Sequence, residues 1–383
     1  MKKKISFVVA IPGTATAFLR DHINALSQEY EVFLIGNIPD EKAIGGLLLA
    51  GWHHIDIERG ISIGRDLKAT WQAYRYFRRM KFDAVHSVTP KAGLVTALAG
   101  WLAGIRHRIH IFTGQVWATR RGIMRWLLKS LDKLIVMLDN HILVDGRSQR
   151  AFLIQEGVLR EGQATVFGEG SISGVNTRRF VPDMDAREEI REQLGISKDT
   201  LVFIFLGRLN HDKGIGELYE AYNRLAGERK DVFLLLVGSN EEGYLEKVQE
   251  YKCIREKENF CFYGHTSTPE KVLVAGDVFT LPTYREGFGT SVLEAACVGL
   301  PSITTDAYGV MDASIEGVTG LRCKVGDAMS LYECMKQFCD CRDLVRQMGD
   351  AARERVLSHF SGEQSTQHWV NYYHALLTET RKL

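Results

Sequence analysis

Short apolar runs alternate with amphipathic stretches through the first half of the chain, the pattern of a parallel sheet whose strands are joined by helices. Residues 5–11, 31–35, 84–87, 108–112 and 141–144 read as strands, and 17–27 reads as a helix. A second series opens with Leu-Val-Phe-Ile-Phe-Leu at 201–206. It continues through an amphipathic helix at 215–225 and strands at 233–237, 260–263 and 275–281. A short helix at 291–298 is closed by Gly299 and Pro301, and from Ala328 onward the pattern is helical, with Asp327 placed as an N-cap. Two such series in 383 residues are too much for one core. They suit two domains of about 150–200 residues each.

The strand at 275–281 runs into Thr283-Tyr-Arg-Glu286-Gly287-Phe288-Gly289-Thr290-Ser291-Val-Leu-Glu294. Glu286 falls in a strand-to-helix loop and Glu294 on the first turns of the helix. The glycines let backbone N–H groups approach a ligand, and a helix N-terminus favours an anion. One carboxylate beside an anion site, with another a turn away, suits a phosphorylated, hydroxyl-rich ligand. The purely structural alternative is a capping box between Ser291 and Glu294. Upstream, 201–206 leads to Gly207-Arg208 and then Lys213-Gly214, where two cations can bracket a diphosphate. The strands at 233–237 and 260–263 end in Gly238-Ser239 and Gly264-His265, turns suited to holding a nucleoside or else plain turns. Pro12-Gly13-Thr14 is a tight strand-end turn of the kind where ligands collect in open α/β sheets.

Glu286-x7-Glu294 within Glu-Gly-Phe-Gly, preceded by Arg208 and Lys213, resembles the donor-site signature of retaining family 4 glycosyltransferases, the group 1 type. The resemblance covers nearly the whole chain. It implies a GT-B fold, two Rossmann-like doubly wound domains facing each other across a cleft. Residues 1–180 would bind acceptor and 181–364 the nucleotide sugar, with the last helix, about 365–383, returning to the first domain. Gly174-Val-Asn176, Phe180 and Pro182 resemble the family's linker, and the glycine-rich 168–174 reads as an interdomain loop.

The resemblance assigns Arg208 and Lys213 to the donor diphosphate and, with Glu286, to catalysis. Glu286 would hold hydroxyls of the donor sugar and stabilise positive charge on its ring, while Glu294 would bind the ribose. Backbone N–H groups of Gly287, Phe288, Gly289 and Thr290 would orient sugar and phosphate. Gly13, Gly207, Gly238 and His265 complete the donor set, His265 mainly through its backbone. No side chain is placed as a nucleophile, so front-face attack with the leaving phosphate as base is the implied chemistry. Related enzymes often carry His or Glu just before Gly114. Here Thr113 stands there, able to hydrogen-bond a sugar but not to act as a base at neutral pH. Thr14, Thr113, Gly114, Arg120 and Arg121 are the acceptor candidates, and His107 and His110 point elsewhere. The implied donor is a UDP-sugar. The implied acceptor is a polyprenyl-diphosphate-linked saccharide of bacterial capsule, O-antigen or glycan assembly. A nucleotide-sugar 2-epimerase of the same fold and a catalytically silent sugar-nucleotide binding protein are the alternatives.

The net charge of +1 hides an asymmetry. Residues 1–175 carry 23 Lys/Arg against 15 Asp/Glu, and from Arg59 to Lys133 the count is 15 to 3. Two aromatic and basic helical stretches lie in that block, 71–81 (WQAYRYFRRMK) and 117–133. In the second, Ile123, Trp126, Leu127 and Leu131 recur at helical spacing among Arg121, Arg125, Lys129 and Lys133. Such helices lie at anionic membrane surfaces, or else pack their apolar stripe on the sheet. Nucleic acid is not expected, for want of a binding motif and because the second half is acidic. Lys2-Lys3-Lys4 precedes too short an apolar run for a signal peptide, and no run reaches the roughly 18 apolar residues of a spanning helix. Seven cysteines without paired spacing point to reduced thiols. The expected location is the cytoplasm, peripheral to the inner face of the plasma membrane. Asp183-Met-Asp185 is a DxD pattern in the linker, so neither a metal nor another cofactor is expected.

Overall fold

The computed structural model describes residues 2–58, 60, 62–247 and 259–378. Arg59, where the basic block opens, and residues 379–383 of the expected last helix lie outside them. The chain divides into two units, Met1–Ser173 with Gly362–Leu383, and Gly174–Ser361.

The first unit is a seven-stranded parallel sheet: β1 (Lys4–Val9), β2 (Glu31–Gly36), β3 (Gly51–His54), β4 (Ala84–Val88), β5 (His107–Phe112), β6 (His141–Val144) and β7 (Ala164–Thr165). Its order is β3-β2-β1-β4-β5-β6-β7. Strands buried on both faces tend to be apolar at successive positions, and β1 is so from Phe7 to Val9. Ile5, Phe7 and Val9 pack in one core while Val8 packs in another. The right-handed crossover rule puts the helices Ile63–Met80, Pro90–Ala103 and Gly122–Leu138 on one face. The helix Arg20–Glu29 covers the other face, where Gly362–Thr378 packs beside it.

Trp369 anchors that last helix in the first unit. Its indole is fully buried and stacks on His22 and His86, each at 5.0 Å, and its N–H donates to the Ile172 carbonyl at 3.1 Å. Burial holds these histidines neutral, lowering His22 to about 4 and His86 well below the ordinary value. His110 is likewise a core residue, its Nδ1 2.8 Å from Ser87 Oγ and its basicity lowered by burial to about 3. His107 lies against His141, ring nitrogens 3.2 Å apart.

The second unit is a six-stranded parallel sheet: β8 (Leu201–Leu206), β9 (Val232–Val237), β10 (Phe260–Gly264), β11 (Val278–Leu281), β12 (Ser302–Thr305) and β13 (Gly320–Cys323). The order is β10-β9-β8-β11-β12-β13. The chain winds outward from β8 through β9 to β10, then returns to the other side of β8 at β11. The gap between the carboxyl ends of β8 and β11 is therefore a topological switch point, where open α/β sheets bind ligands. The fold is thus the expected pair of Rossmann-like doubly wound units.

Two carboxylate patterns turn out to be helix caps. Asp183 of the DxD pattern accepts from Ala186 N at 3.0 Å and opens the helix Met184–Gln193. Asp327 accepts from Ser330 N at 2.9 Å and opens Ala328–Asp340.

Candidate active site

The loops that leave β8 and β11 are stitched together at the switch point of the second sheet. Asn210 caps a short turn, His211–Lys213, by accepting from Lys213 N at 3.2 Å. That turn offers the Asp212 carbonyl to Tyr284 N and to Thr283 Oγ1, both at 2.9 Å. The Asp212 carboxylate binds the Arg285 guanidinium at 2.6 Å, and Lys213 Nζ binds Glu286 Oε1. Lys213 and Glu286 keep only 18% and 14% of their side-chain surface exposed, so little water screens this pair. Arg208 reaches Glu241 at 3.0 Å, and Asn210 donates to the same carboxylate at 2.7 Å.

Two helices begin at this crevice, Ile215–Glu228 after Gly214 and Thr290–Cys297 after Gly289. Neither start carries a side-chain cap, and a helix start favours an anion. The capping-box alternative fails here, because Gly289 is the N-cap and makes no side-chain bond. Gly287 and Gly289 are buried in the loop. Phe288 is buried against Phe360, leaving its backbone as the part able to face a ligand.

Gly238 joins the ends of three strands. Its N–H donates to the Gly264 carbonyl at 2.8 Å, and a Cβ there would sit 1.7 Å from the Gly207 carbonyl oxygen. The glycine is needed for the turn itself, which is enough to explain it. His265 follows Gly264 and is exposed.

Glu294 occupies a different environment. Burial pushes its carboxyl up to about 7, against the pull of Arg179 and with the push of Glu270. Arg179 is held by Glu270 at 2.7 Å and by the Ser267 carbonyl at 2.8 Å. Glu294 itself is half-buried by surface area. A carboxylate in such a place can accept hydroxyl donors. Arg179 lies just after the linker motif, and nothing in its immediate sequence marks it.

In the first unit the candidates sit at the carboxyl edge of the sheet. Gly13 and Thr14 follow β1, Thr113 and Gly114 follow β5, and Arg120 and Arg121 are exposed just before Gly122–Leu138. A side chain at Gly13 would meet nothing within 4 Å, so the fold does not require glycine there. Between them, at the end of β4, Thr89 has φ of +81°, a costly backbone state for a β-branched residue. Its hidden Oγ1 lacks a partner among the described residues. Nothing in the sequence around Thr89 marks this strain. Among the described residues no group of three His, Cys, Asp or Glu is disposed to hold a metal ion.

The basic helix after Thr113 corrects one expectation. Arg125 and Lys129 both bind Glu156, at 2.8 and 2.6 Å, and lie over the Trp117 ring at 5.3 and 5.6 Å. They are therefore committed within the unit. The buried Trp117 donates to Asp132 at 2.7 Å, and Asp132, Ile135, Val136 and Leu138 form the buried side of the helix. Ile123 and Trp126 are exposed, so the apolar stripe does not simply pack on the sheet.

Gly309 supports the Glu286 loop from beneath. A Cβ there would lie 2.4 Å from the Glu286 carbonyl oxygen and 2.7 Å from that of Gly287, at φ of +83°. We expect Gly309→Ala to lower kcat/KM by roughly 10²-fold, the effect of about a 1 Å misplacement. Gly317→Ala is the control, since Gly317 has φ of +72° and open space around it. Steady-state kinetics on the two folded variants decides. Similar rates would mean that Gly309 does not set the loop.

Known proteins match this chain along most of its length. Residues 186–355 match the family model for glycosyl transferases group 1, and residues 13–170 that for the glycosyl transferase 4-like domain. The capsular polysaccharide biosynthesis glycosyltransferase CapM of Staphylococcus aureus is 29% identical over 328 residues, 86% of each chain. An Escherichia coli UDP-Gal:alpha-D-GlcNAc-diphosphoundecaprenol alpha-1,3-galactosyltransferase is 23% identical over 306 residues, 79% of this chain and 78% of that one. The crystal structure of Anabaena HepE with UDP and glucose superposes with a TM-score of 0.79 at 17% identity, covering 97% of this chain and all of the other. The chain therefore belongs to the group 1 glycosyltransferases, a GT-B enzyme related to bacterial transferases of capsular and lipid-linked sugars.

Proposed function

We propose that the protein transfers a sugar from a UDP-sugar to a hydroxyl of a polyprenyl-diphosphate-linked saccharide, with retention at the anomeric carbon, in assembly of a bacterial surface polysaccharide. It works in the cytoplasm at the inner membrane face. The observation that carries this reading is the convergence of Arg208, Lys213, Glu286 and two uncapped helix starts on one switch point. A nucleoside diphosphate meets there two cations and two helix starts. The names of relatives add UDP for HepE, and UDP-Gal with a diphosphoundecaprenol-linked acceptor for the Escherichia coli enzyme.

The chemistry follows from the charges. Diphosphate oxygens draw Arg208 from Glu241 and Lys213 from Glu286. The Glu286 carboxylate then accepts hydroxyls of the donor sugar. As the bond from the anomeric carbon to the phosphate oxygen breaks, its electron pair stays on the phosphate and positive charge develops on the ring. Glu286 stabilises that ring charge, and Arg208, Lys213 and the helix starts stabilise the phosphate. The acceptor hydroxyl bonds to the same face of the carbon and gives its proton to the departing phosphate oxygen. No metal is needed in this scheme, because the protein's own cations take the leaving-group charge.

A panel of nucleotide sugars with a short-chain polyprenyl-diphosphate saccharide, products read by mass and NMR, tests the reading. The expected product keeps the donor's anomeric configuration. An isomerised nucleotide sugar formed without acceptor would instead establish the epimerase.

Glu286→Gln should mainly lower kcat, whereas Glu294→Gln should mainly weaken nucleotide binding. Because burial places Glu294 at about 7, its ionised, hydroxyl-accepting form predominates only above that pH. UDP affinity should therefore fall from pH 8 to pH 6, and Glu294→Gln should flatten the profile. Calorimetric titration checks both, and near-normal turnover by Glu286→Gln would sink its assignment.

Arg208→Ala and Lys213→Ala should each cost roughly 2–4 kcal/mol of transition-state stabilisation, the scale of a lost oxyanion donor. Activity should survive a chelator. Complete loss on chelation, restored by a divalent ion, would overturn the metal-free scheme.

A further inference from the structure

The outer surface of the first unit carries apolar side chains that no core accounts for. The helices Ile63–Met80, Pro90–Ala103 and Gly122–Leu138 lie side by side on one face of the sheet. Ile63, Leu67 and Trp71, at helical spacing on the first, are 76%, 65% and 58% exposed. Ile123 and Trp126 on the third are 84% and 68% exposed, with Met124 beside them. Trp101 on the middle helix is exposed too, so three of the chain's six tryptophans stand on this face. Single apolar residues on a surface are ordinary, but a group of bulky ones marks an interaction surface.

Charge identifies the partner. The block from residue 59 to 133 holds 15 basic and 3 acidic residues, and each of the three acids is engaged locally. Asp66 binds Lys91 at 2.8 Å, Asp83 accepts from Lys4 N at 2.9 Å, and Asp132 accepts from Trp117. Lys68, Arg75 and Lys133 stay exposed around the apolar residues with no carboxylate of the block left to neutralise them. A second copy docked through the same face would bring like charge against like. An anionic bilayer supplies both hydrocarbon for Ile, Leu and Met and phosphate for Lys and Arg, and tryptophan favours its interface.

We infer that this three-helix face is a membrane-docking surface. Ile63, Leu67, Trp71, Ile123, Met124 and Trp126 enter the interfacial layer of an anionic bilayer, while Lys68, Arg75 and Lys133 meet lipid phosphates. This inference rests on the lipid-linked acceptor proposed above for its purpose. The first and third helices begin at the carboxyl edge of the sheet, the edge that bears Thr14, Thr113 and Gly114. Docking through the helix starts brings that edge to the membrane, where a polyprenyl-linked acceptor resides.

The test is flotation of the full chain with vesicles of phosphatidylcholine, with and without phosphatidylglycerol. Two variants are compared, Ile123→Ser/Trp71→Ser/Trp126→Ser and Lys68→Gln/Arg75→Gln/Lys133→Gln. Wild type should bind the anionic vesicles about tenfold better than neutral ones, and either triple substitution should cost about tenfold on anionic vesicles. Salt should weaken wild type more than the charge variant. Brominated lipid should quench wild-type tryptophan fluorescence, since Trp71 and Trp126 enter the bilayer whereas Trp117 and Trp369 are buried. UDP affinity should be unchanged in both variants, showing that the fold is intact. Equal flotation of wild type and the apolar variant would overturn the inference. So would absence of quenching, or a lipid-free dimer that the apolar substitutions abolish. Vesicle binding as described without transfer to polyprenyl-diphosphate saccharides would leave this surface standing and refute the acceptor. Transfer to them without vesicle binding would refute the surface alone.

Discussion

The ion pair between Lys213 and Glu286 is the interaction on which the site depends. It joins two loops that come from adjacent central strands but lie 73 residues apart in sequence. A pair so shielded contributes little net stability, because desolvating both charges offsets their attraction. Its value is positional. Asp212 and Arg285 hold the neighbouring pair of residues together, so each loop is fixed at two successive positions. The same arrangement leaves a cation and a carboxylate that a diphosphate and a sugar can divide between them. The ion pair thus keeps both groups in place, and under the proposed function a donor's phosphates and sugar would divide them.

Backbone geometry supplies the rest. Gly309 beneath the Glu286 loop and Gly238 at the junction of three strand ends allow main-chain approaches that any side chain would block. Two helices without side-chain caps begin at the same crevice. Glu294 sits apart from this cationic centre, in a desolvated position tempered by Arg179. A nucleotide sugar is polar in different ways along its length, and under the proposed function the cationic centre would take its phosphates and Glu294 its hydroxyls.

Much of this was legible in the sequence, for identifiable reasons. β6 and β8 are uninterrupted apolar runs and were placed at their observed bounds. Arg208, Lys213, Glu286 and Glu294 stand out in the sequence as donor-site candidates because each follows a strand end or starts a helix, and the structure places Lys213 against Glu286. β12 and β13 were missed, since Ser302-Ile-Thr-Thr and Gly320-Leu-Arg-Cys show no continuous apolar signal. β3, Gly51-Trp-His-His, is an edge strand with alternating exposure and hides for the same reason. Gly309, Arg179 and Glu156 act through contacts made only on folding, so no local pattern announces them. The basic helix was read correctly as amphipathic, but two of its cations proved to serve Glu156. Only the structure separates a charge committed inside the unit from one facing outward.

The central claim is that Glu286 and a nucleoside diphosphate compete for Lys213. Calorimetric titration of UDP, without sugar, into wild type and Glu286→Gln tests it most directly. The account predicts that the substitution tightens UDP binding, because it removes a competing carboxylate and its repulsion of the diphosphate while sparing the cation. Weaker UDP binding by Glu286→Gln would contradict it, since the carboxylate would then be supporting the diphosphate site instead of contesting it.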